Sequence, residues 1–230
     1  MTKFSPLGEN ALTVEFSNEI SSETNDKVIR LAKYFETNKF DGFLETVPAY
    51  ASLTIFYNAF TVRESFGSFQ AAFDAVKFLA ENALQNLQEI EKTENRLIEI
   101  PVSFDKEHAL DLGFVAETNG LSASEVIKIF TRQIYRVYML GFLPGFAYMG
   151  EIDESIAVPR KAAPRLKVPQ GSIGIAGRQT GIYPLASPGG WQIIGKTNLE
   201  LFTPTMENPT FLRAGDSVKF YETKNFTQRI

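Results

Sequence analysis

Two Pro-Arg steps, Pro159-Arg160 and Pro164-Arg165, stand five residues apart in this 230-residue chain. Proline stiffens the backbone beside each arginine and favours extended chain. A guanidinium binds a carboxylate or phosphate through paired N–H bonds, and loses little entropy when its backbone is already fixed. Downstream, Gly177-Arg-Gln-Thr-Gly-Ile-Tyr-Pro184 offers the amide of Gln179, the hydroxyl of Thr180 and the phenol of Tyr183 between two glycines. That mix suits the orientation of a small polar ligand. Upstream, Gly141-Phe-Leu-Pro-Gly-Phe-Ala-Tyr148 wraps Phe142, Phe146 and Tyr148 around a Pro144-Gly145 corner. Such a segment brings aromatic faces and backbone N–H groups to one cleft, or else simply buries its phenylalanines in a turn.

Charge marks the same region. Of the 27 acidic residues, 23 lie at or before Glu154, and none lies between Ser155 and Leu199. Arg160, Lys161, Arg165, Lys167, Arg178 and Lys196 all fall inside that acid-free stretch. A local positive patch attracts small anions at short range, while the net charge of −4 keeps polyanions away, so nucleic acid is not expected as a partner. The alternative is a basic loop paired with acids from elsewhere in the fold.

Other patterns carry less. Gly190-Trp-Gln-Ile-Ile-Gly-Lys-Thr197 matches the phosphate-loop pattern letter for letter. A phosphate cradle needs a flexible loop opening a helix, whereas Trp-Gln-Ile-Ile predicts a strand that ends in a glycine turn. His108 is the only histidine, is read as solvated, and there is no cysteine, so neither a zinc site nor a Ser-His-Asp triad is expected. Glu151, Asp153 and Glu154 read as loop charge, and no metal site is predicted. The absent cysteines, an N-terminus without an apolar leader and the lack of a long apolar run predict a soluble, cytoplasmic protein without a membrane span.

The elements that must position these residues fall into two parts. Residues 1–90 predict a small α/β domain in the order β-α-β-β-α, a split βαβ sandwich. Its strands are Ala11–Phe16, Phe43–Val47 and Leu53–Tyr57. One helix is capped by Ser21 or Ser22, and a second carries the stripe from Phe69 to Leu87. Gln88–Arg96 is polar, without periodicity, and reads as the linker. Residues 91–230 open with a strand at Leu97–Val102 and a helix over Asp105–Thr118 stopped by Asn119-Gly120. A second helix, opened by the capping box Ser122–Glu125, is expected to turn Val126, Ile129, Phe130, Ile134 and Val137 inward. Ten of the 16 glycines and six of the 11 prolines then fall between Gly141 and Gly195. Short strands with tight corners, at Ser172–Ala176, Trp191–Ile194, Leu199–Phe202 and Ser217–Tyr221, predict a closed or nearly closed β-barrel. The fold class is therefore α+β.

Taken in order, Gly141–Tyr148, Pro159-Arg-Lys-Ala-Ala-Pro-Arg165, Val168-Pro-Gln-Gly-Ser172, Gln179–Pro184 and Ser187-Pro-Gly-Gly-Trp-Gln-Ile-Ile-Gly195 resemble the small B-type subunit of bacterial ATP-dependent 5-oxoprolinase. The same family has been labelled allophanate hydrolase subunit 1 and sporulation kinase A inhibitor. The likeness covers about the last 130 residues strongly and the first 90 in outline. It implies a cyclophilin-like barrel behind the smaller domain, and a complex with a larger C-type subunit of 5-oxoprolinase and with its A-type subunit. The assembly would open 5-oxoproline to glutamate while hydrolysing ATP, with Mg2+, bound at or with the partner subunit, and the chain would be inactive alone. On this resemblance Arg160, Arg165, Gln179 and Tyr183 form the catalytic set. Gly171, Ser172, Gly181, Gly189, Gly190 and Trp191 join Thr180 and the Phe142–Tyr148 segment in binding a small anionic substrate. The family's labels also imply alternatives: a regulator that binds a histidine kinase, or a component of an allophanate-hydrolysing or urea-carboxylating enzyme.

Overall fold

The computed structural model describes residues 2–87 and 96–224. The chain divides into two compact units, Met1–Glu94 and Asn95–Ile230. Apart from Arg96, the stretch read as a linker lies outside the described residues.

The first unit is built on four strands, β1 (Lys3–Pro6), β2 (Ala11–Glu15), β3 (Phe43–Pro48) and β4 (Ser52–Tyr57), in the antiparallel order β1-β2-β4-β3. Helix α1 (Ser22–Thr37) links β2 to β3. Both strands run antiparallel to β4, so they are parallel to each other, and β2-α1-β3 is the expected split βαβ unit. The β4 sequence alternates, and Leu53, Ile55 and Tyr57 all point into the core. The Ser21 hydroxyl accepts the Thr24 N–H at 3.1 Å and fixes the start of α1. Its buried face, Val28, Leu31, Ala32 and Phe35, meets that core together with Val76 and Ala80 of helix α3 (Ala72–Gln85). Between β4 and α3, Asn58 caps a further short helix, α2 (Ala59–Ser65). Neither α2 nor β1 is long enough to show periodicity in the sequence.

The second unit contains β5 (Leu97–Val102), α4 (Leu112–Thr118), α5 (Ala123–Arg132), β6 (Ile134–Leu140) and β7 (Ala147–Gly150). It continues with β8 (Arg165–Val168), β9 (Ser172–Ala176), β10 (Gln179–Ile182), β11 (Ser187–Gly189), β12 (Gln192–Lys196) and β13 (Ser217–Glu222). Seven of these strands form one sheet in the order β12-β9-β10-β7-β6-β13-β5, while β8 and β11 form a separate two-stranded ribbon. All neighbours are antiparallel except β13 and β5. Just beyond β5, Ser103 exchanges two backbone hydrogen bonds with Lys196 of β12, at 2.8 and 3.0 Å. That bridge joins the two edge strands and nearly closes the barrel. Its core holds Ile100, Val137, Met149, Ile173 and Ile194, with the Phe130 ring stacked 4.9 Å from Phe220. No helix among the described residues is long and apolar enough to cross a membrane.

Four expectations for this unit are corrected. The helix read over Asp105–Thr118 is confined to α4, because Asp105 and His108 are drawn into hydrogen bonds with the Ser103 hydroxyl and Asp111 is drawn into an ion cluster. His108 is accordingly held at Ser103 rather than solvated on a helix. Helix α5, opened by the expected Ser122–Glu125 capping box, stops at Arg132. Ile134 and Val137 belong instead to β6, where Tyr135 and Val137 face inward and Ile134 outward, the alternation of a strand. Leu199–Phe202 forms no strand beyond a single bridge from Phe202 to Thr210, since the Thr197 hydroxyl accepts the Leu199 N–H and turns the chain.

Candidate functional site

The loop Gly141–Phe146 joins β6 to β7 and is held by its own backbone. Gly141 donates to Phe146 O, Leu143 to Gly141 O, and Phe146 to Leu143 O, at 2.8–3.1 Å. It projects Phe142 and Phe146 toward Tyr148 of β7, Tyr183 just after β10, and Trp191 just before β12. The ring centroids of Phe146 lie 4.8 Å from Tyr148, 5.2 Å from Tyr183 and 5.5 Å from Trp191, all edge-to-face. With Arg160, Pro164 and Pro188-Gly189-Gly190 at the end of β11, these rings line a cleft of about 250 Å³. Glycine is required at 189, where a Cβ would come within 2.5 Å of the Tyr183 hydroxyl.

Arg160 is the cation of this cleft. Its Cζ lies 5.7 Å from the Trp191 ring, while the side chain stays exposed. The backbone on both sides of it is tied to the residues that flank Trp191. Lys161 N–H donates to Gly190 O at 2.7 Å, and the Gln192 side chain donates to Pro159 O at 3.2 Å. Arg160 has no acidic partner among the described residues. Burial pushes the Tyr183 phenol up, against the opposing pull of the Trp191 N–H and the Arg160 charge, and burial raises Tyr148 likewise. Both phenols are therefore neutral hydrogen-bonding groups near neutral pH.

Arg165 is not in the cleft. Its guanidinium grips the buried carboxylate of Asp111 through two bonds of 2.7 and 2.6 Å. Lys161 Nζ adds a third at 3.1 Å and the Ile193 N–H a fourth at 2.7 Å. Burial would raise the Asp111 carboxyl, but Arg165, Ile193 and Lys161 together hold it below the ordinary carboxylate range. The two Pro-Arg steps, alike in sequence, thus differ in what they do. One guanidinium faces the cleft, and the other anchors the segment that presents it. The expectation of two arginines in one hollow is corrected by this carboxylate, which nothing near Arg165 in the sequence announces.

The remaining residues separate the same way. The Thr180 hydroxyl donates to Gly174 O inside the sheet, and Gln179 lies in the β10 ladder away from the cleft. Ser172 is buried in β9, and Gly171 turns with φ +80°, its Cα face closed by the Thr197 carbonyl. Gly181 packs behind Phe146, and Gly145 against Leu201. Pro144 lies at the exposed loop corner and does not line the cleft. Among the basic residues, Arg178 pairs with Glu151 and Glu154, both at 3.1 Å, and Arg132 with Asp153 at 2.7 Å. Those acids are ion-pair partners, as loop charge should be. The Gly190–Thr197 stretch contains β12 and is followed by no helix among the described residues, so the phosphate-loop match is accidental. Sequence reading missed Asp111, and it took Pro164 and Pro188 as parts of motifs without placing either in the lining of the cleft.

The second unit thus combines a nearly closed barrel with an aromatic cleft whose lining carries one cation, Arg160. The chain belongs to the family described as carboxyltransferase domain, subdomain C and D, whose profile matches residues 2–212. Among curated proteins it is similar to the 5-oxoprolinase B subunit of Bacillus subtilis, at 46% identity over 93% of this chain and 90% of the relative. It is also similar to the 5-oxoprolinase B subunit of Escherichia coli O157:H7, at 38% identity over 95% of this chain and 94% of the relative. Among solved structures, TTHA0988 superimposes with a TM-score of 0.79 at 34% identity; the match covers 95% of this chain and 41% of that longer chain.

Proposed function

We propose that this chain is the substrate-holding subunit of an ATP-dependent 5-oxoprolinase, a complex that adds water across the lactam amide of 5-oxoproline to give L-glutamate. The observation that carries the reading is Arg160, exposed and set over the Trp191 ring at the aromatic cleft. 5-Oxoproline is a compact ring acid, with a nearly flat apolar body, a lactam edge and one carboxylate. The aromatic walls suit the ring, the guanidinium suits the carboxylate, and the neutral phenol of Tyr183 suits the lactam carbonyl. The names of the curated relatives support a role as one component of a complex, and the partners in this reading are subunits of the A and C types.

The cleft does not fit a magnesium nucleotide. A triphosphate needs several cations or a cradle of backbone N–H groups, and its metal needs carboxylates. Arg160 is the one charged residue lining the cleft, and the described residues contain no group of three acids or histidines able to hold a metal. We therefore assign the ring acid to this chain and the nucleotide to one of its partners.

Reconstitution tests this division. The chain mixed with its partner subunits is expected to show ATP hydrolysis that depends on 5-oxoproline, and omission of any one component is expected to abolish it. A complete complex that hydrolyses no ATP in response to 5-oxoproline contradicts the reading.

A further inference from the structure

Phe142 is the one residue other than glycine among those described that has a positive φ, at 67°. Its neighbours close a hydrogen bond across it, Leu143 N–H to Gly141 O at 2.8 Å, so Phe142 is the apex of the rarer, strained form of γ-turn. A bulky side chain there is a conformational outlier, and such strain persists only where the surroundings enforce it. The bonds from Gly141 to Phe146 O and from Phe146 to Leu143 O supply that enforcement. What the strain achieves is the placement of a ring that burial alone would not hold. Phe142 is 61% exposed, yet it stands at right angles to Phe146, 5.5 Å away, and to Tyr183, 6.4 Å away.

Resting on the substrate reading above, we propose that Phe142 is the specificity-determining wall of the cleft. The strained turn holds its ring where it closes on a flat ring acid and rejects an open-chain one. With Phe146 and Tyr183 it makes a right-angled aromatic corner that a small ring can fill by face and edge contacts. The ring-opened product carries an ammonium and a second carboxylate. It would press charge against apolar walls that offer only Arg160 as a partner, so the same corner that binds the lactam favours release of the product.

The test uses the assembled complex of full-length chains with Phe142→Ala, Phe142→Gly and Phe142→Tyr. The ring contacts substrate and transition state alike, so its loss is expected to raise KM for 5-oxoproline about tenfold in the Ala and Gly variants and leave kcat within about twofold. Inhibition by added glutamate is expected to strengthen in both, because the apolar wall that rejects the open-chain acid is gone, and Phe142→Tyr is expected to restore KM. Both Ala and Gly remove the ring, but only Gly relaxes the backbone. The Gly variant of the chain is therefore expected to melt about 3 °C above the Ala variant. An active complex whose variants keep the original KM overturns this inference alone, as does a Gly variant that melts no higher than Ala. An unsubstituted complex without activity on 5-oxoproline overturns the substrate reading and this inference with it.

Discussion

Arg160→Ala is expected to lower kcat/KM of the assembled enzyme for 5-oxoproline about a hundredfold, near 2.7 kcal/mol, while leaving the fold as it is. The loss is that of a charge-assisted hydrogen-bonded pair with the substrate carboxylate. The fold is indifferent because the guanidinium is exposed, has no acidic partner among the described residues, and lies over the Trp191 ring at 5.7 Å. An exposed cation–π contact is worth about 0.5 kcal/mol, so the melting temperature is expected to fall by less than about 2 °C. Arg160→Lys keeps the charge and loses the fork, and is expected to recover only part of the activity. Loss of activity accompanied by a large fall in melting temperature would instead make Arg160 a structural residue.

Asp111→Asn is expected to do the reverse, destabilising the second unit by about 3–5 kcal/mol. The Asp111 carboxylate is 5% exposed, and its partners Arg165 and Lys161 are 23% and 28% exposed. Removing one charge leaves two partly buried cations facing a neutral amide. Breaking such a cluster costs far more than the intact cluster contributes over an apolar substitute. Arg165→Ala is expected to destabilise as well, which separates it from Arg160→Ala. The effect has a pH signature. The folded-state pKa of Asp111 lies below its unfolded value, so its stabilisation is fully present above the unfolded carboxylate pKa of about 4. It is lost as pH falls through the lower folded value. Thermal melts of the two proteins are therefore expected to differ most near neutral pH and to converge in acid. Activity should fall too, because Arg165 and Lys161 anchor the segment from Pro159 that presents Arg160.

These two variants also mark where the sequence was legible. Local signals survive folding well. The Ser122–Glu125 capping box and the Ser21 cap both form, because each depends on residues three apart. The glycine- and proline-rich stretch could only be short strands and corners, and it is. The phosphate-loop match could be set aside because Trp-Gln-Ile-Ile favours a strand whatever its flanks. Long-range pairing was not legible. Arg160 and Arg165 have the same local grammar, and only Asp111, drawn in from the turn before α4, tells them apart. The overrun of α5 into β6 has a similar origin. Ile134 and Val137 continue a helical spacing from Val126 and Phe130, but strand pairing with β13 and β7 decides their state. Phe142 shows a third limit, since a positive φ at a bulky residue has no local sequence signal at all.

Trp191 is the chain's single tryptophan and lies in the wall of the cleft, so its fluorescence reports directly on what enters. Titrating the complex of full-length subunits, with tryptophans of the partners replaced, should give a saturable Trp191 signal with 5-oxoproline. Arg160→Ala is expected to shift that titration to about hundredfold higher ligand. A signal that saturates equally in both proteins, or a cleft that responds to ATP and ignores 5-oxoproline, would contradict the assignment of this chain as the holder of the ring acid.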